Sequence, residues 1–163
     1  MPLPADNRCQ TLVELLRSRA EQAPDRQAYV FLDREGAERE RLTYAELDRR
    51  ARAIAVAIGS AARPGDRALI LHPPSLEYVA AFFGCLYAGV VAVTAYPPNF
   101  SRHLQRLQSL VADAEPAVAV TNARIARNAR NHFERAVNLA DVRWLDTATV
   151  SRRRGLAAAA AHR

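Results

Sequence analysis

The sequence contains no lysine, and all 23 of its basic residues are arginine. That absence excludes chemistry built on an ammonium of adjustable pKa, such as a lysine general base, a Schiff base or a compact point charge on a phosphate. Cysteine is nearly absent too. Cys9 and Cys85 lie far apart, so no disulfide framework or thiolate metal site emerges, and the apolar surroundings of Cys85 suit a buried thiol acting as a small hydrophobe. The histidines, His72, His103, His132 and His162, have no cysteine or carboxylate cluster at metal-ligand spacing around them. There is no nucleophile elbow and no Gly-rich phosphate loop of either common type. No catalytic, cofactor-binding or metal-binding residue is therefore assigned. The amino terminus, MPLPADNRCQ, has neither a basic start followed by an apolar core nor an acid-free, arginine-rich amphipathic character. No secretion or transit signal is legible, and the cytoplasm is the expected compartment.

What is present is a globular composition: 163 residues, half of them hydrophobic and a quarter charged, with a formal charge of +6. That length supports one domain with a real core. One stretch, from Tyr78 to Ser101, carries no charge and is long enough to span a bilayer. Its two halves differ in texture, however. Ala80, Ala81, Phe82, Phe83, Leu86 and Tyr87 suit a packed helix, whereas Val90, Val91, Ala92, Val93 and Thr94 suit a buried strand. With Gly84 and Gly89 inside the run and Pro97 and Pro98 closing it, a helix that turns at Gly89 into a strand is expected, and no membrane span.

The rest of the chain sets the fold class. Thr11-Leu12-Val13-Glu14 and Thr43-Tyr44-Ala45-Glu46 both have the form of a capping box, a hydroxyl followed three residues later by a glutamate. The first opens a helix ending before Pro24. The second opens one with Leu47, Ala51, Ile54, Ala55 and Ile58 on one face, ending near Gly59. Between them, Ala28 to Leu32, the turn Asp33-Arg34-Glu35-Gly36 and a short run up to Leu42 predict a hairpin. From there strands at Arg67 to Leu71, Val90 to Ala95, Ala117 to Val120 and Val142 to Leu145 alternate with helices at Ser75 to Ala88, Ser101 to Ala114 and Asn122 to Val137. Strands apolar on both faces and separated by helices pair in parallel through crossovers. The expected fold is α/β, a mostly parallel sheet with flanking helices preceded by a short hairpin. Residues 1–9 form an amino-terminal arm, residues 10–148 the folded unit, and residues 149–163 an Arg/Ala-rich tail without apolar periodicity.

In such a sheet, ligands bind beyond the carboxyl ends of the strands, so the loops after Leu71, Ala95 and Val120 are the places to search. His72-Pro73-Pro74-Ser75 either offers a hydroxyl and a helix start to an anion or simply lets Ser75 cap its own helix, and the second reading is favoured. Tyr96, Pro97 and Pro98 are the candidate wall of an apolar pocket; the alternative is a stiff connection into a helix capped by Ser101. Thr121-Asn122 reads as a cap. Arg124, Arg127 and Arg130 recur at three-residue spacing and Arg152 to Arg154 cluster, but alanine and asparagine lie between them instead of stacking aromatics. A solvated helix face explains them, and no nucleic-acid partner is expected.

From Leu42 to Val120 the sequence resembles the start of the adenylate-forming superfamily of acyl-CoA synthetases, peptide-synthetase adenylation domains and luciferases. The general features are Leu42-Thr43-Tyr44-Ala45-Glu46-Leu47, the helix ARAIAVAI, and Pro64-Gly65-Asp66-Arg67 before an apolar strand. A narrower likeness follows. Ala81-Phe82-Phe83-Gly84-Cys85-Leu86-Tyr87-Ala88-Gly89-Val90-Val91-Ala92-Val93, Ala95-Tyr96-Pro97-Pro98, Arg106-Leu107 and Asp113-Ala114 are similar to fatty-acyl-AMP ligases. Thr94 departs from that pattern, which has proline there, and the change affects loop stiffness more than class. The likeness covers about residues 10 to 148, corresponding to a partial first subdomain of a much longer enzyme.

The resemblance implies a parental activity in which ATP with magnesium activates a fatty acid to an acyl-adenylate, and the acyl group passes to an acyl carrier protein for lipid or polyketide assembly. It also implies that the family's phosphate loop, ribose-binding aspartate and catalytic lysine lie downstream of residue 163. This chain by itself is then expected to bind no cofactor and to be inactive. The alternatives are a fragment of an acyl-CoA synthetase or amino-acid adenylation domain, or a non-catalytic α/β module that binds a partner through an exposed sheet edge, an edge that also suits self-association.

Overall fold

The structure is a computed structural model and describes residues 9–97, 101–132 and 137–150. Both threonine capping boxes are formed. Thr11 accepts from Glu14 N at 3.1 Å at the start of α1 (Leu12–Gln22). Thr43 accepts from Glu46 N at 3.2 Å at the start of α2 (Tyr44–Gly59), and in both boxes the glutamate carboxylate reaches back to the cap backbone. Each reciprocal pair satisfies two amide donors that a helix start leaves without intrahelical partners. Between these helices, β1 (Gln27–Leu32) and β2 (Glu38–Thr43) form the two-stranded antiparallel hairpin. Asp33 closes its turn by accepting from the amides of Glu35 and Ala37.

The second sheet follows the alternation of the sequence. It contains β3 (Arg67–Leu71), β4 (Val91–Ala95), β5 (Val118–Thr121) and β6 (Arg143–Asp146), all parallel, in the order β4-β3-β5-β6. The connecting helices are α3 (Leu76–Tyr87), α4 (Ser101–Ala114) and α5 (Ala123–His132). The expected helix run beyond residue 132 enters residues 133–136, outside the described part, as do most of the amino-terminal arm and of the Arg/Ala-rich tail. The uncharged run is divided as its texture implies. The helix α3 has 12 residues, Gly89 turns the chain at φ +70°, and β4 begins at Val91. Among the described residues no helix is long and apolar enough to cross a membrane.

The alternation of side chains along a strand explains why the central strands are apolar throughout. Ala68 and Ile70 of β3, with Val118 and Val120 of β5, face one layer made by Leu47, Ile54 and Ile58 of α2 and Ala80, Ala81 and Cys85 of α3. Leu69 and Leu71 face the opposite layer, where Leu107 and Val111 of α4 meet Ile125 and Ala129 of α5. On α2 the buried small residues are Ala51 and Ala53, while Ala55 is half-buried. The α2–α3 contact is close enough that a Cβ on Gly84 would lie 2.6 Å from Ile54 Cγ2, so glycine is the residue that lets these helices meet.

The amino ends of the strands are fixed by backbone and guanidinium contacts. Gly65, at φ +88°, donates its N–H to Gly89 O at 2.8 Å, and Val91 N–H donates to Asp66 O at 2.8 Å. Arg67 donates to the carbonyls of Ala114 and Glu115, satisfying acceptors at the carboxyl end of α4. The Pro64-Gly65-Asp66-Arg67 segment thus ties the starts of two strands and the end of one helix together, leaving the opposite edge of the sheet open.

Candidate functional site at the carboxyl ends of the strands

Strand register determines which side chains share that open edge. Leu71 pairs with Ala95 on one side and with Thr121 on the other, and Thr121 pairs with Asp146. The residues next along the chain, His72, Tyr96, Asn122 and Thr147, therefore emerge at about the same level. Asn122 is used locally, its Oδ1 accepting from Ile125 N at 2.9 Å as a helix cap. Ser75 is used locally too. Its Oγ accepts from Tyr78 N at 3.2 Å and donates to Pro73 O at 3.0 Å, so the favoured reading of Ser75 as a cap holds.

The middle of the edge carries a buried polar ladder. Thr121 Oγ1 donates to Leu71 O, and Thr147 Oγ1 donates to Thr121 O at 3.2 Å. Thr147 Oγ1 also lies 3.4 Å from His72 Nε2. His72, Thr121 and Thr147 are the polar residues fully buried among those described, at 3%, 0% and 1% exposure. Nδ1, on the other side of the ring, is buried without a hydrogen-bond partner. Burial pushes the His72 pKa down to about 4, against smaller raising effects from the Thr121 backbone and the Asp146 carboxylate. The ring is neutral at physiological pH.

His72 belongs to the wall of a cavity of about 670 Å³ that opens between the carboxyl end of β4 and the helices α3 and α4. Pro74, Tyr78, Thr94 and Ala95 line it, with Leu107 and Leu110 from α4. Tyr96 and Pro97 lie in the same wall, and Tyr96 is 73% exposed, unusually open for a tyrosine beside apolar neighbours. Pro98 lies outside the described residues, and Ser101 is the first residue of α4. Arg106, also from α4, brings a positive charge, and His103 lies beside it in the lining. An apolar chamber of this size with a few convergent polar groups is the ordinary form of a small-molecule site.

Other chemistry has little footing nearby. Burial raises the Cys85 thiol to about 12, so the thiolate needed for nucleophilic work is not available at neutral pH. Among the described residues no three His, Cys, Asp or Glu side chains converge as a metal site. The glycines with positive φ, Gly36, Gly65 and Gly89, lie in the hairpin turn and ahead of β3 and β4, away from the cavity edge. The described residues there do not form a backbone cradle for a triphosphate, and no lysine exists to join one. Sequence reasoning pointed to this edge and to Tyr96-Pro97 but missed His72. The signal available was a histidine directly after an apolar strand, which acquires meaning only when the register places Thr121 and Thr147 beside it.

The family model for AMP-binding enzymes matches residues 16–162. A medium-chain-fatty-acid–[acyl-carrier-protein] ligase, JamA, of Moorena producens is 45% identical over 115 residues, which is 69% of this chain and 19% of the relative. The long-chain-fatty-acid–AMP ligase FadD32 of Mycolicibacterium smegmatis is 39% identical over 113 residues, 67% of this chain and 18% of that protein. The solved fatty acyl-adenylate ligase of L. pneumophila, in complex with acyl adenylate and pyrophosphate, superposes with a TM-score of 0.76 at 35% identity. That match covers 87% of this chain and 24% of the ligase. The chain thus spans about a fifth of the length of the relatives it matches.

Proposed function

Because the chain belongs to the AMP-binding enzyme family, we propose that it forms the amino-terminal sheet of a fatty-acyl-AMP ligase. In that enzyme ATP with magnesium activates a fatty acid to an acyl-adenylate, and the acyl group passes to an acyl carrier protein for lipid or polyketide assembly in the cytoplasm. The observation that carries this reading is the apolar cavity at the carboxyl end of β4, walled by Tyr78, Tyr96, Pro97, Leu107 and Leu110. It suits an alkyl chain, whose burial contributes about 0.8 kcal/mol per methylene. The likeness to JamA and FadD32 supports the fatty acid as the class of acid and, from the name of the first, the carrier protein as acceptor.

Adenylation also requires cations preorganised around the phosphates. The absence of lysine from the sequence, and of a glycine cradle at the cavity edge among the described residues, supports the reading that the 163-residue chain alone does not catalyse it. Two measurements on the chain test both halves. Calorimetric titration with dodecanoate should show saturable binding, while hydroxamate trapping with ATP, magnesium and the same acid should stay at background. Acyl-hydroxamate above background would refute the second half, and absence of saturable binding would refute the first.

A second reading rests on β4, an edge strand of the sheet with Val91 52% exposed. An open edge of this kind pairs readily with another chain, so self-association through β4 is expected. Sedimentation coefficients rising with concentration would support it, and a constant monomer value would remove it.

A further inference from the structure

A permanent charge set into an apolar wall favours a counter-ion. Among the described residues Arg106 is the one side chain of permanent charge lining the cavity, it is exposed, and no carboxylate shares the lining with it. Arg39, Arg41, Arg50, Arg52 and Arg67 each face a carboxylate, whereas Arg106 makes no ion pair among the described residues. The polarity of α4 also changes along the cavity. His103, Arg106, Leu107 and Leu110 are spaced i, i+3, i+4 and i+7, which places them on one helix face, and all four line the chamber. Because α4 follows β4 through a parallel crossover, its first turn stands at the carboxyl edge of the sheet, beside Tyr96, whose 73% exposure marks the open side. Leu110 lies about 6 Å further along the helix axis than Arg106, and helical side chains lean toward the amino end, which widens the separation. No acid stands in the first turn of α4, and the positive pole of the helix adds to the charge there. The cavity thus runs from a cationic mouth to an apolar far end.

From this gradient we infer that Arg106 holds the carboxylate of the acid at the mouth of the cavity, so that the alkyl chain enters tail first and lies along Leu107 and Leu110. The inference rests on the proposed fatty-acid reading and adds to it a binding residue and a direction. A guanidinium pairs with a carboxylate through two parallel N–H···O bonds, which fixes orientation as well as position. Its apolar neighbour Leu107 is the next residue in the chain, so the ligand that fits carries its charge at the end of an alkyl chain. An anion without such a chain leaves the apolar wall in water, and an alkyl chain without a charge gains nothing from the guanidinium. Because Arg106 is exposed, solvent screens the pair, and its effect on affinity is moderate.

The test is a pair of titrations, with decanoate and with decanol, of the unmodified chain and of Arg106→Gln. The replacement should weaken decanoate on the order of fivefold, while decanol, which has no charge to lose, binds both proteins alike. Direction is read separately in the unmodified chain by isotope-filtered NOEs, which an arginine with a merely structural role would not shape. The C2 protons of bound decanoate should reach the Arg106 side chain, and the terminal methyl protons should reach the methyl groups of Leu110. An undiminished affinity for decanoate in Arg106→Gln, an equal loss of both ligands, or the reverse NOE pattern would overturn the inference and leave the fatty-acid reading intact. Arg106 signals that answer to AMP and not to decanoate would overturn it as well, assigning the arginine to a phosphate. Absence of any decanoate binding to the unmodified chain would overturn both.

Discussion

The α2–α3 contact and the carboxyl end of the sheet are built to different standards. On the face of α2 and α3 the helices meet at Gly84 with no room for a methyl group, and three helices converge on Tyr87. Its hydroxyl donates to Asp48, while the guanidinium groups of Arg17 and Arg52 lie 5.0 and 5.8 Å from its ring. Burial raises the Tyr87 pKa, and the Asp48 hydrogen bond raises it further, so the phenol keeps its proton. Beyond the strand ends, between Tyr78 of α3 and Leu107 and Leu110 of α4, the packing leaves a chamber. A close-packed interior tolerates little change, whereas a chamber lined by half-buried side chains can accept a foreign chain. The α2–α3 contact is scaffold; the carboxyl end of the sheet has space for a ligand.

That contrast can be broken by mutation. Ile70→Ala, in the layer of α2 and α3, should cost roughly 2–5 kcal/mol, because a fully buried side chain is removed and its neighbours cannot collapse into the gap. Leu110→Ala, in the cavity wall, should cost only about 1 kcal/mol, since Leu110 already borders empty space. Urea denaturation of the two variants checks the difference, and equal losses would remove the distinction between the two regions.

A smaller effect belongs to His72 and appears as a dependence on pH. The folded state holds the ring neutral down to about 4, whereas the unfolded chain takes up its proton near 6.5. Between those values the unfolded state binds more protons, so stability rises with pH, is complete above 6.5 and has been lost by about 4. The integrated difference is roughly 3 kcal/mol. It should disappear from the acid limb of the denaturation profile in His72→Phe, and an unchanged limb would show that the ring is not buried as described. Gly84→Ala comes next, with an expected loss of roughly 1–3 kcal/mol from overpacking against Ile54, readable as a lower Tm. Tyr87→Phe, which removes the hydrogen bond to Asp48 while keeping the ring, should cost as little as Leu110→Ala, about 1 kcal/mol.

Much of the architecture was legible because local signals agreed with the global fold. Thr11 and Thr43 marked helix starts through their glutamates, the double-sided apolarity of Arg67 to Leu71 marked a central strand, and Gly89 marked the change from helix to strand. Periodicity was less sharp inside α2, where Ala53 is buried in place of Ala55; small residues carry little amphipathic signal. The strand order β4-β3-β5-β6 had no local trace, because neighbours in a parallel sheet are chosen by crossovers and not by adjacent residues. For the same reason His72 could not be recognised. Its significance depends on Thr121 and Thr147, which lie 49 and 75 positions further along the chain and meet it only through register. Tyr96 and Pro97 drew notice because aromatic and proline residues at a strand end are conspicuous in any sequence.

The central claim is that the chamber at the carboxyl end of β4 receives the apolar chain of an acid, and its most direct test is the location of that acid on the protein. Chemical-shift mapping during a dodecanoate titration should concentrate the changes on Tyr78, Thr94, Tyr96, Leu107 and Leu110, with the signals of Ile54, Gly84 and Tyr87 at the α2–α3 contact unmoved. Changes clustered on Ile54, Gly84 and Tyr87, or spread evenly over the surface, would contradict it.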